Sequence, residues 1–96
     1  MKLEELLDNV RDEKSFLEFV RALQEDREDE LEKEKVNPSS PYGSGANGWE
    51  NGTIESFLGA AIAWAEDSDF GNAQGLADAS IWQKIATFLY CGKIYE

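Results

Sequence analysis

Between Gly48 and Asp67 the chain reads GWENGTIESFLGAAIAWAED, and its apolar positions leave little choice of local structure. Ile54, Phe57, Leu58, Ala61, Ile62 and Ala65 recur at the three- and four-residue steps that put side chains on one face of an α-helix. Ala60 and Trp64 widen that face, and the remaining line reads Glu55, Gly59, Ala63, Glu66. A helix apolar nearly all round is ordinarily a buried one, so the segment from Ile54 to Glu66 is expected to be the centre of the domain. Thr53 stands where an N-cap hydroxyl accepts a free amide, and Glu55 suits the positive end of the helix dipole. Gly59 and Ala63 are small enough to admit a neighbouring backbone, either from within the chain or from a second copy in a homodimer.

The same spacing recurs on both sides. Leu3, Leu6, Leu7 and Val10 predict a short first helix, and Phe16, Phe19, Val20 and Leu23 a longer second one starting near Phe16. Asp12 and Ser15 are its N-cap candidates, and Ser15 with Glu18 has the spacing of a capping box. From Gln24 to Lys35 only Leu31 is apolar, so this helix is expected to run out into solvent and fray between Glu28 and Lys35. Residues 36–52 form a Gly/Pro/Ser-rich loop and residues 67–79 an acidic one. Ser80 caps a last helix, with Gln83 placed for a second capping box; Ile81, Trp82, Ile85, Ala86, Phe88 and Leu89 supply its core faces. Gly92 is the expected residue just past its end. No segment alternates as a strand does. The reading is one all-α domain over residues 1–96: a small helical bundle of three longer helices plus a short N-terminal helix, with the Ile54–Glu66 helix buried at its centre.

Charge narrows the function. Twenty acids against nine bases give a net charge of −11, which repels phosphate backbones and anionic membrane surfaces. The natural partner of such a surface is a basic protein or a cation, and the plainer reading is that the charge keeps a small protein soluble. The single cysteine, Cys91, allows no internal disulfide and fits a reducing cytosol. The acidic MKLEELLDNV start lacks the basic n-region of a signal peptide, and the expected location is cytoplasmic.

Catalysis finds few of its usual tools. The sequence has no histidine, which removes Ser-His-Asp and Cys-His chemistry and most zinc sites. Cys91 near a helix C-terminus faces the negative end of the dipole, the wrong end for a reactive thiolate. The glycines at 43, 45 and 48 lack the spacing and the lysine of a phosphate loop. We therefore expect no enzyme, no cofactor and no metal at a dedicated site. The alternative reading is a divalent-cation loop over 67–78, with Asp67 first, Asp69 third and Asp78 twelfth. It departs from the EF-hand outline at position five, where Gly71 comes one residue early, and at twelve, where Asp78 replaces the bidentate Glu.

Trp64 and Trp82 sit at core spacing. Trp49 precedes its helix and has two readings, a lid closing the core or an exposed aromatic anchor for a basic partner. On the second reading the candidate partner-binding surface is Tyr42, Trp49, Glu50, Glu66, Asp67 and Asp69.

Three blocks together, Phe16-Leu17-x-Phe19-Val20-x-x-Leu23, Trp49-x-Asn51-x-Thr53-Ile54-x-x-Phe57-Leu58-x-Ala60 and Ala63-Trp64-x-x-Asp67, with Trp82-x-x-Ile85-Ala86 and Tyr95-Glu96 after them, resemble a family of small acidic bacterial proteins, a domain of unknown function. The resemblance implies a compact helical domain of the cytosol and names no catalytic residues. By analogy with small acidic immunity proteins, it also suggests a toxin-neutralising interaction module.

Overall fold

The computed structural model describes residues 2–41 and 43–95. It holds four α-helices, α1 (Leu3–Asp8), α2 (Glu13–Val36), α3 (Ile54–Asp67) and α4 (Ile81–Ile94), with a 3-10 turn at Asn72–Gln74. Among the described residues there is no strand, and the expected all-α bundle of three longer helices and a short first one is what forms. No helix among them is long and apolar enough to cross a membrane.

Local chemistry sets the helix starts. Asp12 caps α2: its carboxylate accepts from the Ser15 amide at 2.8 Å while the Ser15 hydroxyl accepts from the Asp12 amide. The helix therefore begins at Glu13, one turn ahead of the start expected near Phe16, because Ser15 works as the third residue of the box and not as the cap. Thr53 and Ser56 form the same reciprocal pair at the head of α3. Ser80 accepts from the Gln83 amide at 3.1 Å to start α4.

The centre of the bundle is α4, which packs against α1, α2 and α3. This corrects the expectation that the Ile54–Glu66 helix would be the buried core: among the described helices α3 packs only against α4, and Ile54, Leu58 and Ile62 remain 79%, 47% and 50% exposed. Gly59, expected at a close backbone contact, has open space where a Cβ would stand. The close approach lies instead at Gly92. A Cβ there would sit 2.7–2.9 Å from the Phe57 ring, so Gly92 is an interior residue of α4 that lets α3 settle onto it, and the helix runs past it to Ile94.

The main core joins Leu7, Val10, Phe19, Leu23, Trp49 and Ala86. Trp82 meets Phe16 at 5.5 Å between ring centres. Trp64 anchors a second cluster under the 67–79 loop, where Phe70 lies edge-on to it and stacks on Phe88. Its indole N–H donates to Gln74 Oε1 at 2.8 Å, the polar partner a buried tryptophan usually finds.

Candidate functional site

The acidic half of α2 organises the site. Phe19, Leu23, Asp26 and Glu30 follow one another at steps of four, three and four, so Glu30 occupies a core position of the helix. It is 1% exposed. Its Oε2 pairs with Arg27 Nη1 at 2.6 Å, and its Oε1 accepts the backbone amides of Asn47 at 2.9 Å and Trp49 at 3.2 Å. One turn on, Glu34 accepts from the Ser39 amide and hydroxyl and from the Ala46 amide. These hydrogen bonds, those from Ser39 foremost, hold its carboxyl below the ordinary value of 4.5. Asn47 donates to the Asp26 carbonyl and to Asp29, and accepts from Lys33.

The helix therefore does not fray between Glu28 and Lys35 as expected. It continues to Val36 because its carboxylates hold the 37–52 loop by that loop's own amides. Gly45 makes room for this, since a Cβ on it would overlap the Glu30 carboxylate.

Trp49 lies inside the arrangement. It is 8% exposed, stacks on Phe57 with ring centres 6.1 Å apart, and donates its indole N–H to Asp26 Oδ2 at 2.8 Å. The same oxygen takes Lys93 Nζ at 2.7 Å. Lys93 and Arg27 both stand over the ring, at 5.6 and 5.5 Å from its centre, close enough for cation–π attraction. Lys93 is buried near the C-terminal end of α4, the end of a helix that favours a cation. Asn51 ties the loop to the end of α4, donating to the Gly92 and Tyr95 carbonyls.

The predicted surface does not assemble as one patch. Trp49 is buried as the lid of the core rather than standing out as an exposed anchor. Glu50 is exposed beside it, with its amide donating to the Lys93 carbonyl at 2.9 Å. Glu66, Asp67 and Asp69 lie at the other end of α3 and just beyond. Asp67 accepts from the Tyr95 hydroxyl, and Asp69 from the Asn72 amide group at 3.4 Å. Tyr42 lies outside the described residues. Among those residues no three His, Cys, Asp or Glu side chains gather as a metal would require. The 67–79 loop is folded by Ser68, whose hydroxyl donates to the Trp64 carbonyl and accepts from the Gly71 amide. Asp26, Arg27, Glu30 and Lys93 escaped the sequence reading, although the positions of Asp26 and Glu30 in the Phe19–Leu23 stripe were a usable signal.

Beside Trp49 runs a groove. Among the described residues no Cα atoms of α2 and α3 come within 8 Å of each other. Between them lies an open space of about 520 Å³ with Val20, Leu23, Gln24, Arg27 and Glu28 on one wall, Ile54, Phe57 and Leu58 on the other, and Leu89 and Trp49 also lining it. Ile62, half exposed, lies one turn past Leu58 on α3, and the exposed Leu17 and Leu31 lie seven residues either side of Gln24 on α2.

What fold and site define is a small all-α domain with an apolar groove, bordered by a loop that buried ion pairs hold in place. The chain belongs to a family of unknown function, DUF7660, whose model matches residues 12–96. The match starts at the N-cap of α2, so the groove and the ion pairs fall within it. No curated protein matches the chain, and no solved structure does.

Proposed function

We propose that this chain is a protein–protein interaction module for a basic partner, with toxin neutralisation as the biological role that fits it. The observation that carries the reading is the apolar groove between α2 and α3, left open in a chain of net charge −11. Exposed contiguous apolar surface of this kind is the usual mark of a binding face, and the surrounding charge speeds and selects association with cations. The proposal gives the chain no catalytic role and no cofactor. Its sequence has no histidine, and burial pushes its one thiol, Cys91, up to about 11. The proposal names no nucleic acid and no anionic membrane as partner, because a chain of net charge −11 repels both, and a reducing cytosol suits a free buried cysteine. The cation-loop alternative is weaker, because Asp67 and Asp69 each have protein partners and no ligand cluster forms around them among the described residues.

The test is affinity capture from native lysate by a tagged chain, in parallel with the Leu58→Glu variant, washed at low and at high salt. A basic protein held at low salt, released at high salt and lost from the variant is the expected result. Retention that ignores salt, or the absence of any retained protein, overturns the proposal.

A further inference from the structure

We propose, resting on the interaction-module reading above, that the groove receives an amphipathic α-helix whose apolar stripe is flanked by Lys and Arg. The shape is the first argument. Two helices form the walls, and Leu89 shows that α4 is reached between them. The α2 residues that line it, Val20 to Glu28, span about 12 Å at the α-helical rise, and the exposed Leu17 and Leu31, one turn beyond either end, extend that face to about 21 Å, about four turns of a partner helix. A helix laid there would bury side chains at i, i+3 or i+4 and i+7 against Val20, Leu23, Ile54 and Leu58, the usual mode of helix-in-groove recognition.

Charge selects the occupant. On the α2 side Glu28 lines the groove and carries the acidic charge beside Leu31, while Glu32, next along, is already paired with Lys35 at 3.0 Å. On the α3 side Glu55 and Glu66 are exposed on the same helix as Ile54, Leu58 and Ile62. Arg27, the cation inside the groove, is already held by Glu30 Oε2 and by the Gly52 carbonyl at 3.1 Å, so it opposes a basic ligand little. Exposed Arg21 lies two turns before Glu28 on α2 and gives the site a direction, with the partner's basic end toward Glu28. A second copy fits worse. Its most apolar exposed stripe, Ile54–Leu58–Ile62, would bring Glu55 and Glu66 against Glu28 and Glu32, between chains that each carry −11.

Three synthetic helices of about 18 residues test this: a Leu/Lys peptide with one apolar stripe, a Leu/Glu peptide with the same stripe, and a Leu/Lys peptide of identical composition with the stripe scrambled. Binding is read by fluorescence anisotropy, and sedimentation of the chain alone reports self-association. The striped Leu/Lys helix is expected to bind at least about tenfold more tightly than either other peptide. Leu58→Glu should weaken it about tenfold, even though the added negative charge by itself favours a cation. Ile81→Glu, on an exposed residue of α4 that does not line the groove, should leave binding unchanged, and thermal melts confirm that both variants fold. Equal binding of the striped and scrambled Leu/Lys peptides overturns helix docking while the acidic-module reading stands. Failure of both cationic peptides overturns both. A dimer abolished by Leu58→Glu gives the groove to a second copy and overturns the proposal.

Discussion

Replacing Glu30 by alanine separates a structural carboxylate from a solvated one. The side chain accepts the Asn47 and Trp49 amides and pairs with Arg27, and at 1% exposure water does not reach it. Each amide left without an acceptor costs about 1–3 kcal/mol while it stays dry. Arg27, whose side chain is 30% exposed, can turn to water, so its lost ion pair adds little. The total is about 3–5 kcal/mol, a large share of the roughly 5–14 kcal/mol that holds a domain of this length together. The melting temperature should fall by at least about 12 °C. Exposed Glu32, two residues on, should cost no more than about 0.5 kcal/mol on the same substitution.

Calorimetry gives the two melting temperatures, and amide exchange at Asn47 and Trp49 reports the loop itself. Gly45→Ala should reproduce much of the loss, because the new methyl group displaces the Glu30 carboxylate; in a Glu30→Ala background it should add little more. A Glu30→Ala protein that melts within about 4 °C of the parent, with both amides still protected, refutes the reasoning.

Other consequences are quick to check. Gly92→Ala forces a methyl group onto the Phe57 ring and should cost about 1–3 kcal/mol; urea unfolding should show part of that recovered in the Gly92→Ala/Phe57→Leu double variant. Cys91, buried and with its thiol pushed up to about 11, should resist iodoacetamide at mildly alkaline pH until the chain unfolds, and labelling of the native protein at a free-thiol rate sinks that reading. Glu34 has a folded pKa below 4.5, so its contribution is complete above 4.5 and lost as pH falls through the lowered folded value. Glu34→Gln should therefore narrow the gap between melting temperatures at neutral pH and at acid pH, and an unchanged gap contradicts it.

How much of this the sequence could reveal depends on the range of each interaction. The starts at Thr53 and Ser80 were legible because a cap and the amide it serves lie three residues apart. Asp12 was legible as a candidate, but choosing it over Ser15 needed the geometry of the whole turn. The second half of α2 was misread because its scarcity of apolar residues implies a helix lying in solvent. Periodicity does mark Glu30 as a core position, but it carries no information about the Asn47 and Trp49 amides, 17 and 19 residues away, that come to satisfy it there. The misplacement of α3 has another cause. Apolar residues nearly all round a helix state that several faces could be covered, and among the described residues the Ala61–Trp64 side is the buried one; of the exposed surplus, Ile54 and Leu58 form part of the wall of the groove. The candidate partner surface was grouped by nearness in sequence, which placed Trp49 with Asp69 although one belongs to the head of α3 and the other lies past its end.

The Asp26–Lys93 pair raises a different question, because a buried ion pair is weak support for stability. Its two members are unequal. The Lys93 side chain is 8% exposed and that of Asp26 26%. Removing Lys93 leaves a carboxylate that can partly hydrate and still accepts the Trp49 N–H. Removing Asp26 strands a buried ammonium and leaves that N–H without its acceptor. Asp26→Ala should therefore cost about 3–5 kcal/mol and Lys93→Met less than half as much. The double variant Asp26→Asn/Lys93→Met changes no net charge and keeps an oxygen for the indole, so it should lie within about 1 kcal/mol of the parent. Urea unfolding ranks the three, and the indole N–H resonance of Trp49 reports whether the ring keeps its place. If the double variant is as unstable as Asp26→Ala while that resonance is unchanged, the ion pair stabilises the fold directly. If the predicted order holds, its role is to fix Trp49, and with it one part of the lining of the groove.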